Sequence, residues 1–590
     1  MKHLSKWFIA TLAGVALFSS SSVDQVKFGD SFLEKAPGVA VTQDTIFGKA
    51  TYARAFLWNT YSKLYYALPV YWNTVEGKMN TGIFEMMSDC WHSHTDWNGI
   101  NRKYYSGSYK AGDEDSSDDT RFGYTKENCW EAIRAALLFV ENVERVPDME
   151  DAEKKRLAAE AKVIVASRYF DLFRHFGGLP LIKETYDVQP SYELPRATVE
   201  ETVNYMINLL DEAAATPQLP WDLGTDDTNW QGRFTKAAAM GLKCKILLFA
   251  ASPLFNDPTQ VDDTFEHGKY DASKWEKAAE AAAAVIKLNT YGLYTDGKGY
   301  EDFFYTLDKN NEIILSRMCA AHNDVERLNG PVSITNGEGG TCPSLNLVND
   351  YEMIDGKAFD WNNPEHAANP FANRDPRFEK SILYNGSTWM NNMVVETFTG
   401  GKDFTGVKAT RTGFYIRKFC NISASWNAPI GKAFHCFPLL RYGDLLLMYA
   451  EAMNEAYGPD TDSKGYGLTA RQAVALIRER AGLTGNIDLS ETVPAGNREK
   501  MRIAIQHERR IELAFEEHRH LDLRRWKLAE QVLNQPVLGL KIDKKEDGTF
   551  TYTPQVVESR EFTPKMYLYP FPQSEMSRNT NLKQNTGWNS

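Results

Sequence analysis

The amino-acid sequence predicts a mainly α-helical protein, in which tetratricopeptide-like helix pairs support a loop-rich half with short β pieces. Apolar residues recur every three or four positions towards both ends of the 590-residue chain, which is the period of helices that pack on one face. Between 292 and 436 the pattern changes to Gly, Asn, Asp and aromatic residues. Hydrophobic residues make up 43% and charged residues 24%, so the chain can bury a sizeable core.

Five helices are predicted in the N-terminal part, over residues 129–146, over 153–176, from Thr198 onwards, in "TKAAAMGLKCKILLFAAS" and over 271–288. Gly177 and Gly178 stop the second helix. Thr198 and Glu201 have the spacing of a capping box at the start of the third. Since helix pairs recur, each is expected to bury its apolar face against its neighbours, as in a tetratricopeptide stack.

The segment 292–436 is too long for a plain connection, and structured loops of this length usually carry function. Short β-prone pieces occur in "NEIILSRM" and "MVVETFTG". Helices then return in "LLRYGDLLLMYAEAMNEAYG", "TARQAVALIRERAGL" and "REKMRIAIQHERRIELAFEEHRHLDLRRWKLA".

The stretch "HERRIELAFEEHRHLDLRRW", residues 507–526, is predicted to be a single amphipathic helix. One stripe of that helix consists of Ile511, Ala514, Phe515, His518 and Leu521. The polar residues Arg509, Glu512, Glu516 and Arg519 lie at ion-pairing distance on other faces. We favour salt-bridged structure over a metal site, because His518 and Asp522, with His520 nearby, supply too few ligands on one face.

The first residues have the pattern of an export signal. Lys2 and Lys6 precede the apolar run "WFIATLAGVALF", which is too short to span a bilayer as a helix. The following "LFSSSSVDQ" has the form of a bacterial lipoprotein cleavage box, with Ser20 where the lipidated Cys is expected. The mature protein is expected to be lipid-anchored if that position is a Cys natively, and otherwise to be cleaved by the ordinary signal peptidase.

The net charge of −12 disfavours nucleic acid as a partner and suits a neutral ligand better. The seven cysteines include no C-x-x-C pair, which argues against a zinc site or a thioredoxin-like motif. Cys244 is expected to be a core residue.

Several long motifs resemble the SusD/RagB family. The C-terminal motifs are "LLRYGDLLLMYAEAMNEA", "RERAGL", "ERRIELAFEEHRHLDLRRW" and "YPFPQSEMSRNTNLKQNTGW". Towards the N-terminus, "SFLEKAPGVAVTQDTIF", "AEAKVIVASRYFDLFRHFGGLPLI" and "GRFTKAAAMGLKCKILLFAASPLFND" fit the same family. The resemblance covers essentially the whole mature chain, and Ser20 is its one departure from the family pattern.

This resemblance implies a SusD-like α superhelix of four tetratricopeptide-like helix pairs beside a loop-rich half. It also implies a non-catalytic, glycan-binding lipoprotein on the surface of the outer membrane. Family members act as a lid on a TonB-dependent transporter of the SusC type and capture oligosaccharides for import. The expected organisation is a signal peptide over 1–20, a helical part over 21–290, a loop-rich ligand-side segment over 291–436 and the family signature region over 437–590.

A sugar needs aromatic platforms beside planar hydrogen-bonding side chains. The run "CWHSHTDWNGINRKYYSGSYK", residues 90–110, offers that mixture, and the resemblance places ligand contacts in the same loop. Further platforms are expected in "YNGSTWMNN" and "ISASWNAPIG". The predicted glycan-binding residues are Trp91, Asp96, Trp97, Asn98, Arg102, Tyr105, Trp389 and Trp426. If these aromatics instead pack against the helices, they form no binding surface.

A metal site is not favoured in the aromatic run, although His92, His94 and Asp96 alternate and would face one side of an extended segment. The acidic run 112–120 lacks the Gly and terminal Glu of a calcium loop, so a solvated turn is expected. No cofactor is predicted, and nothing in the sequence supports calcium. Trp130, Trp275 and Trp526 have helical spacing and are expected to be core residues.

Two other functions fit the sequence. A glycoside hydrolase would use paired carboxylates, but no acid and nucleophile pair stands out among the 78 acidic residues. A helical-repeat scaffold that binds only protein would have buried aromatics.

Overall fold

The structure is a computed structural model that describes residues 42–65, 68, 85–93, 103, 106–115, 129–186, 193–223, 232–296, 299–301, 303–306, 310–318, 320–334, 337–390, 392–422, 424 and 431–588. The predicted signal segment 1–20 lies outside these residues.

The α-helices of the described residues are α1 Gln43–Phe47, α2 Ala50–Tyr61, α3 Cys129–Asn142, α4 Asp151–Phe176, α5 Val199–Ala215, α6 Lys236–Ala251, α7 Ser273–Ile286, α8 Asp324–Asn329, α9 Leu345–Asp350, α10 Pro364–Ala368, α11 Pro376–Ser381, α12 Tyr442–Tyr457, α13 Ala470–Ala481, α14 Arg498–Glu512, α15 Arg519–Arg525, α16 Ala529–Leu533 and α17 Gln573–Arg578. The strands are β1 Trp91–Ser93, β2 Ile313–Met318, β3 Thr341–Pro343, β4 Ile382–Leu383, β5 Thr388–Trp389, β6 Met393–Val394, β7 Tyr415–Ile416, β8 Cys436–Arg441, β9 Val537–Lys544 and β10 Phe550–Glu558.

The predicted helix signals act as expected. The Thr198 hydroxyl accepts a hydrogen bond from Glu201 N–H, and the Glu201 carboxylate accepts one from Thr198 N–H, which completes the capping box of α5. At the end of α4, Gly177 adopts a φ of 77°, a conformation that glycine adopts without strain. The five N-terminal helices are therefore confirmed within a few residues of their predicted bounds.

The helices form one continuous stack. Each of α3 to α6 packs against the next helix, α7 packs against α12, and α12 packs against both α13 and α14. The stack thus continues across the loop-rich segment, and the prediction of tetratricopeptide-like helix pairs is confirmed. In α7 the buried residues include Ala278, Ala279 and Ala282, whose small side chains permit close helix contacts.

The two ends of the loop-rich segment lie side by side against the helix stack. Its first strand, β2, pairs antiparallel with its last, β8, and β8 continues directly into α12. At Gly241 a Cβ atom would lie 2.3 Å from Leu440 Cδ2, so α6 packs closely on β8. The "NEIILSRM" strand is confirmed, whereas "MVVETFTG" contributes only the two residues of β6. The segment also contains the short helices α8 to α11.

The prediction of one continuous helix over 507–526 is wrong. Helix α14 ends at Glu512, the chain turns through residues 513–518, called here the bend, and α15 begins at Arg519. Phe515 and Glu517 have φ values of 68° and 64°, a region that bulky residues adopt only under strain. The stripe inferred from helical spacing therefore does not exist.

A hairpin of β9 and β10, over residues 537–558, was not predicted. Its sequence signal is the Asp547-Gly548 pair between two β-prone runs, and Gly548 has a φ of 86°.

Among the described cysteines no disulfide forms, and all six are buried, which confirms Cys244 as a core residue. In the described part of the chain, no helix is long and apolar enough to span a membrane.

Candidate ligand-binding site

Glu512, the last residue of α14, is the centre of a buried ion network. Its carboxylate accepts hydrogen bonds from Arg377 Nη1 at 3.0 Å and Arg441 Nη1 at 2.7 Å, and it is ion-paired with Arg480. Glu512 is 0% exposed. Burial raises the pKa of Glu512, but the three arginines outweigh it and hold the pKa well below its usual value. The loop-rich segment, β8 and α13 are therefore joined at one residue of α14.

The bend also anchors the start of the aromatic run 90–110. Arg519 Nε donates to Asp89 Oδ1 at 3.0 Å, and Arg510 Nη2 lies 2.8 Å from Asp89 Oδ2. The Trp91 ring packs on Phe515 with 5.0 Å between centroids. Although burial raises the pKa of Asp89, the two arginines bring it well below normal, so this residue is a charged anchor.

The far end of the same run is held by other contacts. Tyr109 is buried and meets Trp588 edge to face, with ring centroids 6.2 Å apart. Both ends of the aromatic run are thus fixed to the C-terminal region of the chain.

The bend also holds Lys418, which lies eight residues before Trp426 in the sequence. Lys418 Nζ donates to Ala514 O and Glu516 Oε1, each at 2.7 Å, and to the Tyr300 hydroxyl at 2.8 Å. Burial lowers the pKa of Lys418 to about 8, against the effect of Glu516. Lys418 and Trp91 therefore contact consecutive residues of the bend.

Helix α8 lies between the two anchored segments. Asn421 N–H donates to Glu326 Oε1 at 2.7 Å, and Gly340 N–H donates to Leu328 O at 2.8 Å. Gly340 immediately precedes β3, which pairs antiparallel with β1. Helix α8 therefore contacts Asn421 directly and β1 through its pairing partner β3.

Five buried polar residues lie in this helix or beside it. We call them the α8 cluster: His322, Asn323, Glu326, Asn329 and His435. The two His rings stack with 4.5 Å between centroids, and His435 Nε2 lies 2.8 Å from Glu326 Oε1. Burial lowers the pKa of His322 to about 4, and His435 adds to the effect.

Four atoms of the α8 cluster, among the residues that the structure describes, have no hydrogen-bond partner: Asn323 Nδ2, Glu326 Oε2, Asn329 Oδ1 and His435 Nδ1. Such a mixture of donors and acceptors suits water or a hydroxylated ligand. The sequence analysis missed this cluster, whose only signal is the polar run "HNDVERLN".

Two predicted platform residues are in the core. Trp91 is 4% exposed because β3 and Phe515 cover it, and Trp389 is 5% exposed with the Arg417 guanidinium 5.6 Å from its ring centroid. The expectation that these rings are exposed is therefore wrong. The other predicted binding residues lie outside the described residues and stay predictions: Asp96, Trp97, Asn98, Arg102, Tyr105 and Trp426. Trp526 is buried, and Trp130 and Trp275 pack partly buried against the core, as expected.

The salt-bridged structure expected in 507–526 is confirmed, but Arg509, Glu512, Glu516 and Arg519 pair with other residues instead of with one another along a helix. Asp522 accepts from Arg509 Nε at 3.0 Å and from Arg525 Nε at 2.8 Å, while His518 lies 3.8 Å from Asp444. His92 Nδ1 lies 3.1 Å from Glu558 Oε2. In the described ranges, no three His, Cys, Asp or Glu side chains are grouped to hold a metal ion. His94 and Asp96 lie outside those ranges.

Comparisons with known families match most of the chain. A model of the SusD family matches residues 306–588, and a SusD-like model described as starch-binding associating with outer membrane matches residues 69–248. A SusD-like protein P38 of Formosa agariphila is 22% identical over 472 residues, which are 75% of this chain and 83% of that protein. SusD-like protein P2 of the same species is 31% identical over 147 residues, or 25% of this chain and 24% of that protein.

Solved structures share the fold. A SusD-like protein of Bacteroides fragilis has a TM-score of 0.74 at 24% identity, covering 94% of this chain and 100% of its own. A SusD-like carbohydrate-binding protein of the same species has a TM-score of 0.71 at 23% identity, covering 91% of this chain and 100% of its own.

Proposed function

This chain belongs to the SusD/RagB family, and we propose that it binds an oligo- or polysaccharide without cleaving it and delivers the glycan to a SusC-like TonB-dependent transporter. We place it on the surface of the outer membrane. Anchoring is through a lipid if position 20 is a Cys natively, and the export signal predicted over 1–20 supports this placement.

The observation that carries the proposal is the arrangement of the residues from which the predicted binding segments continue, called here the loop roots: Asp89 and Trp91 for one segment and Lys418 for the other. The bend contacts both Trp91 and Lys418, and α8 contacts Asn421, three residues after Lys418. A sugar site needs several side chains held in fixed relation, and buried ion pairs at the roots reduce the freedom that binding must remove. In the sequence, the predicted residues Trp97 and Tyr105 follow Trp91, and Trp426 follows Lys418.

A hydrolase would need two carboxylates that reach the substrate. Glu85 and Asp89 have the shifted pKa values typical of such a pair: burial raises the pKa of Glu85 to about 7, and arginines lower that of Asp89. However, Glu85 is 0% exposed and Asp89 is held by Arg510 and Arg519. The pair therefore supports the root of the aromatic run and does not face a substrate.

The proposal is tested by affinity electrophoresis through gels that carry soluble starch, arabinoxylan, laminarin or polygalacturonate. We expect one polymer to retard the native protein but not the heat-denatured protein, with no release of reducing ends. Release of reducing ends would favour the hydrolase. If no polymer retards the protein while it still co-purifies with a transporter, a protein-binding scaffold would be favoured.

A further inference from the structure

Two exposed tryptophans contact the same short segment of the chain, which belongs to neither anchored loop. In the described part of the chain, Trp58 and Trp221 are 42% and 44% exposed, and the other tryptophans are buried or half-buried. Exposed aromatic side chains such as Tyr52, Tyr270 and Phe434 occur singly on this surface and need no explanation, unlike the two tryptophans. Their exposure is informative because both contact the same short segment.

That segment is the start of α6. The Arg233 guanidinium lies 5.7 Å from the centroid of Trp58, and Lys236 Nζ lies 5.5 Å from the centroid of Trp221. Lys236 N–H also donates to Pro220 O at 2.8 Å, which fixes the residue before Trp221. The two rings, called here the tryptophan pair, are thus held against residues only three positions apart.

The support under the tryptophan pair is rigid. Arg233 is 4% exposed and its Nε donates to Glu160 at 2.7 Å. Tyr61 donates to the same carboxylate at 2.8 Å, and its hydroxyl accepts Phe234 N–H at 3.0 Å. Rings on such a base lose little conformational freedom when a ligand stacks on them.

Polar groups that suit hydroxyls stand beside the rings. Lys236 has no carboxylate within ion-pairing distance among the described residues, so its ammonium can donate to a ligand. Apolar ring faces with a hydrogen-bond donor beside them suit the C–H faces and hydroxyls of a sugar.

The tryptophan pair lies at the edge between the helix stack and the loop-rich half. A Cβ on Gly232 would lie 3.0 Å from Met318 Cγ, at the end of β2. Arg317 Nη2 donates to Ser62 O at 2.8 Å, which joins the end of α2 to the same strand. A long glycan held by the loops can therefore continue along this edge.

We propose that Trp58 and Trp221 form a second carbohydrate contact, which binds a distal part of a polysaccharide whose first part occupies the loop-rich half. The inference rests on the proposed function. Because two linked contacts raise the affinity for a polymer but not for a ligand too short to reach both, loss of the pair should weaken polymer binding by about tenfold or more. Binding of a short oligosaccharide should not change.

The test compares the parent protein with Trp58→Ala/Trp221→Ala on whichever of starch, arabinoxylan, laminarin or polygalacturonate retards it. A hexasaccharide and a trisaccharide of the same sugar are titrated by calorimetry. Tyr270→Ala removes an aromatic ring of similar exposure, 43%, and is the matched control. Trp221→Ala alone is used if the double variant does not fold, since Trp221 lies outside any helix.

We expect weaker retardation of the double variant, unchanged trisaccharide affinity and a control that matches the parent. Unchanged retardation would overturn the second contact and leave the proposed function intact. Equal loss of polymer and trisaccharide binding would place the pair in the primary site and overturn this inference. Normal glycan binding with lost transporter co-purification would make the surface a protein interface. A parent protein that no polymer retards would contradict both proposals.

Discussion

Replacing Glu512 by Gln keeps the shape of the side chain and removes the charge at the centre of the buried network. Arg377, Arg441 and Arg480 all pair with this carboxylate, and all four side chains are at most 3% exposed. Removing one partner of a buried ion pair leaves charge uncompensated and typically costs about 3–5 kcal/mol.

The structure places the expected loss towards the lower end of that range. Each arginine keeps at least one other carboxylate partner after the substitution, from Glu312, Asp375, Glu508 and Glu516. The Gln amide can also retain one hydrogen bond. We therefore expect the free energy of unfolding to fall by about 3 kcal/mol.

Urea unfolding followed by circular dichroism measures this change, provided that the transition is cooperative. Asp543→Asn is the matched control, because the Lys541–Asp543 pair is 2.7 Å long but has side chains 47% and 42% exposed. We expect the control to show no measurable loss of stability, because water screens this exposed pair. A loss below about 1 kcal/mol for Glu512→Gln would refute the view that this network holds the two halves together.

Three further predictions follow from the same contacts. Burial raises the pKa of Asp522, but Arg509 and other partners outweigh it and bring the pKa to about 2. The pKa of an Asp in the unfolded chain is higher, near 3.9, so this carboxylate stabilises the fold above about pH 4. The stabilisation is lost as the pH falls towards 2. A Tm that stays constant from pH 6 to 3 would contradict this prediction. Trp91→Ala should lower the free energy of unfolding by about 3–5 kcal/mol, measured by urea unfolding, and Trp91→Phe should lower it much less. Equal small losses of stability in the two variants would mean that the ring is exposed. Asp89→Asn should loosen the root of the aromatic run and speed tryptic cleavage after Arg102 in the native protein, and an unchanged cleavage rate would show that the root is held by other contacts.

The helices could be predicted because their signals are local. The stop at Gly177 and the capping box of Thr198 involve neighbours in the chain, so spacing alone identifies them. The bend could not be predicted, since Phe515 and Glu517 have local sequence that favours a helix. Glu516, which lies between them, is ion-paired with Arg441, far away in the sequence, and no local pattern indicates that contact.

The candidate site shows the same limit. Composition singled out the aromatic segments as candidates for the binding surface, but it did not reveal which rings are covered. Trp91 is buried by Phe515, more than 400 positions later, and Trp58 is exposed although it lies on a regular amphipathic helix. The α8 cluster depends on His322 and His435 meeting across antiparallel segments, which no local pattern indicates.

The most direct test of the central claim, glycan binding by the loop-rich half, is hydrogen exchange measured with and without a trisaccharide of the polymer that retards the protein. We predict added protection in peptides that cover 90–110 and 419–435, and none along helices α5 and α7. Protection confined to the helix stack would contradict the account, because the ligand would then bind away from the segments that the bend and α8 hold in place.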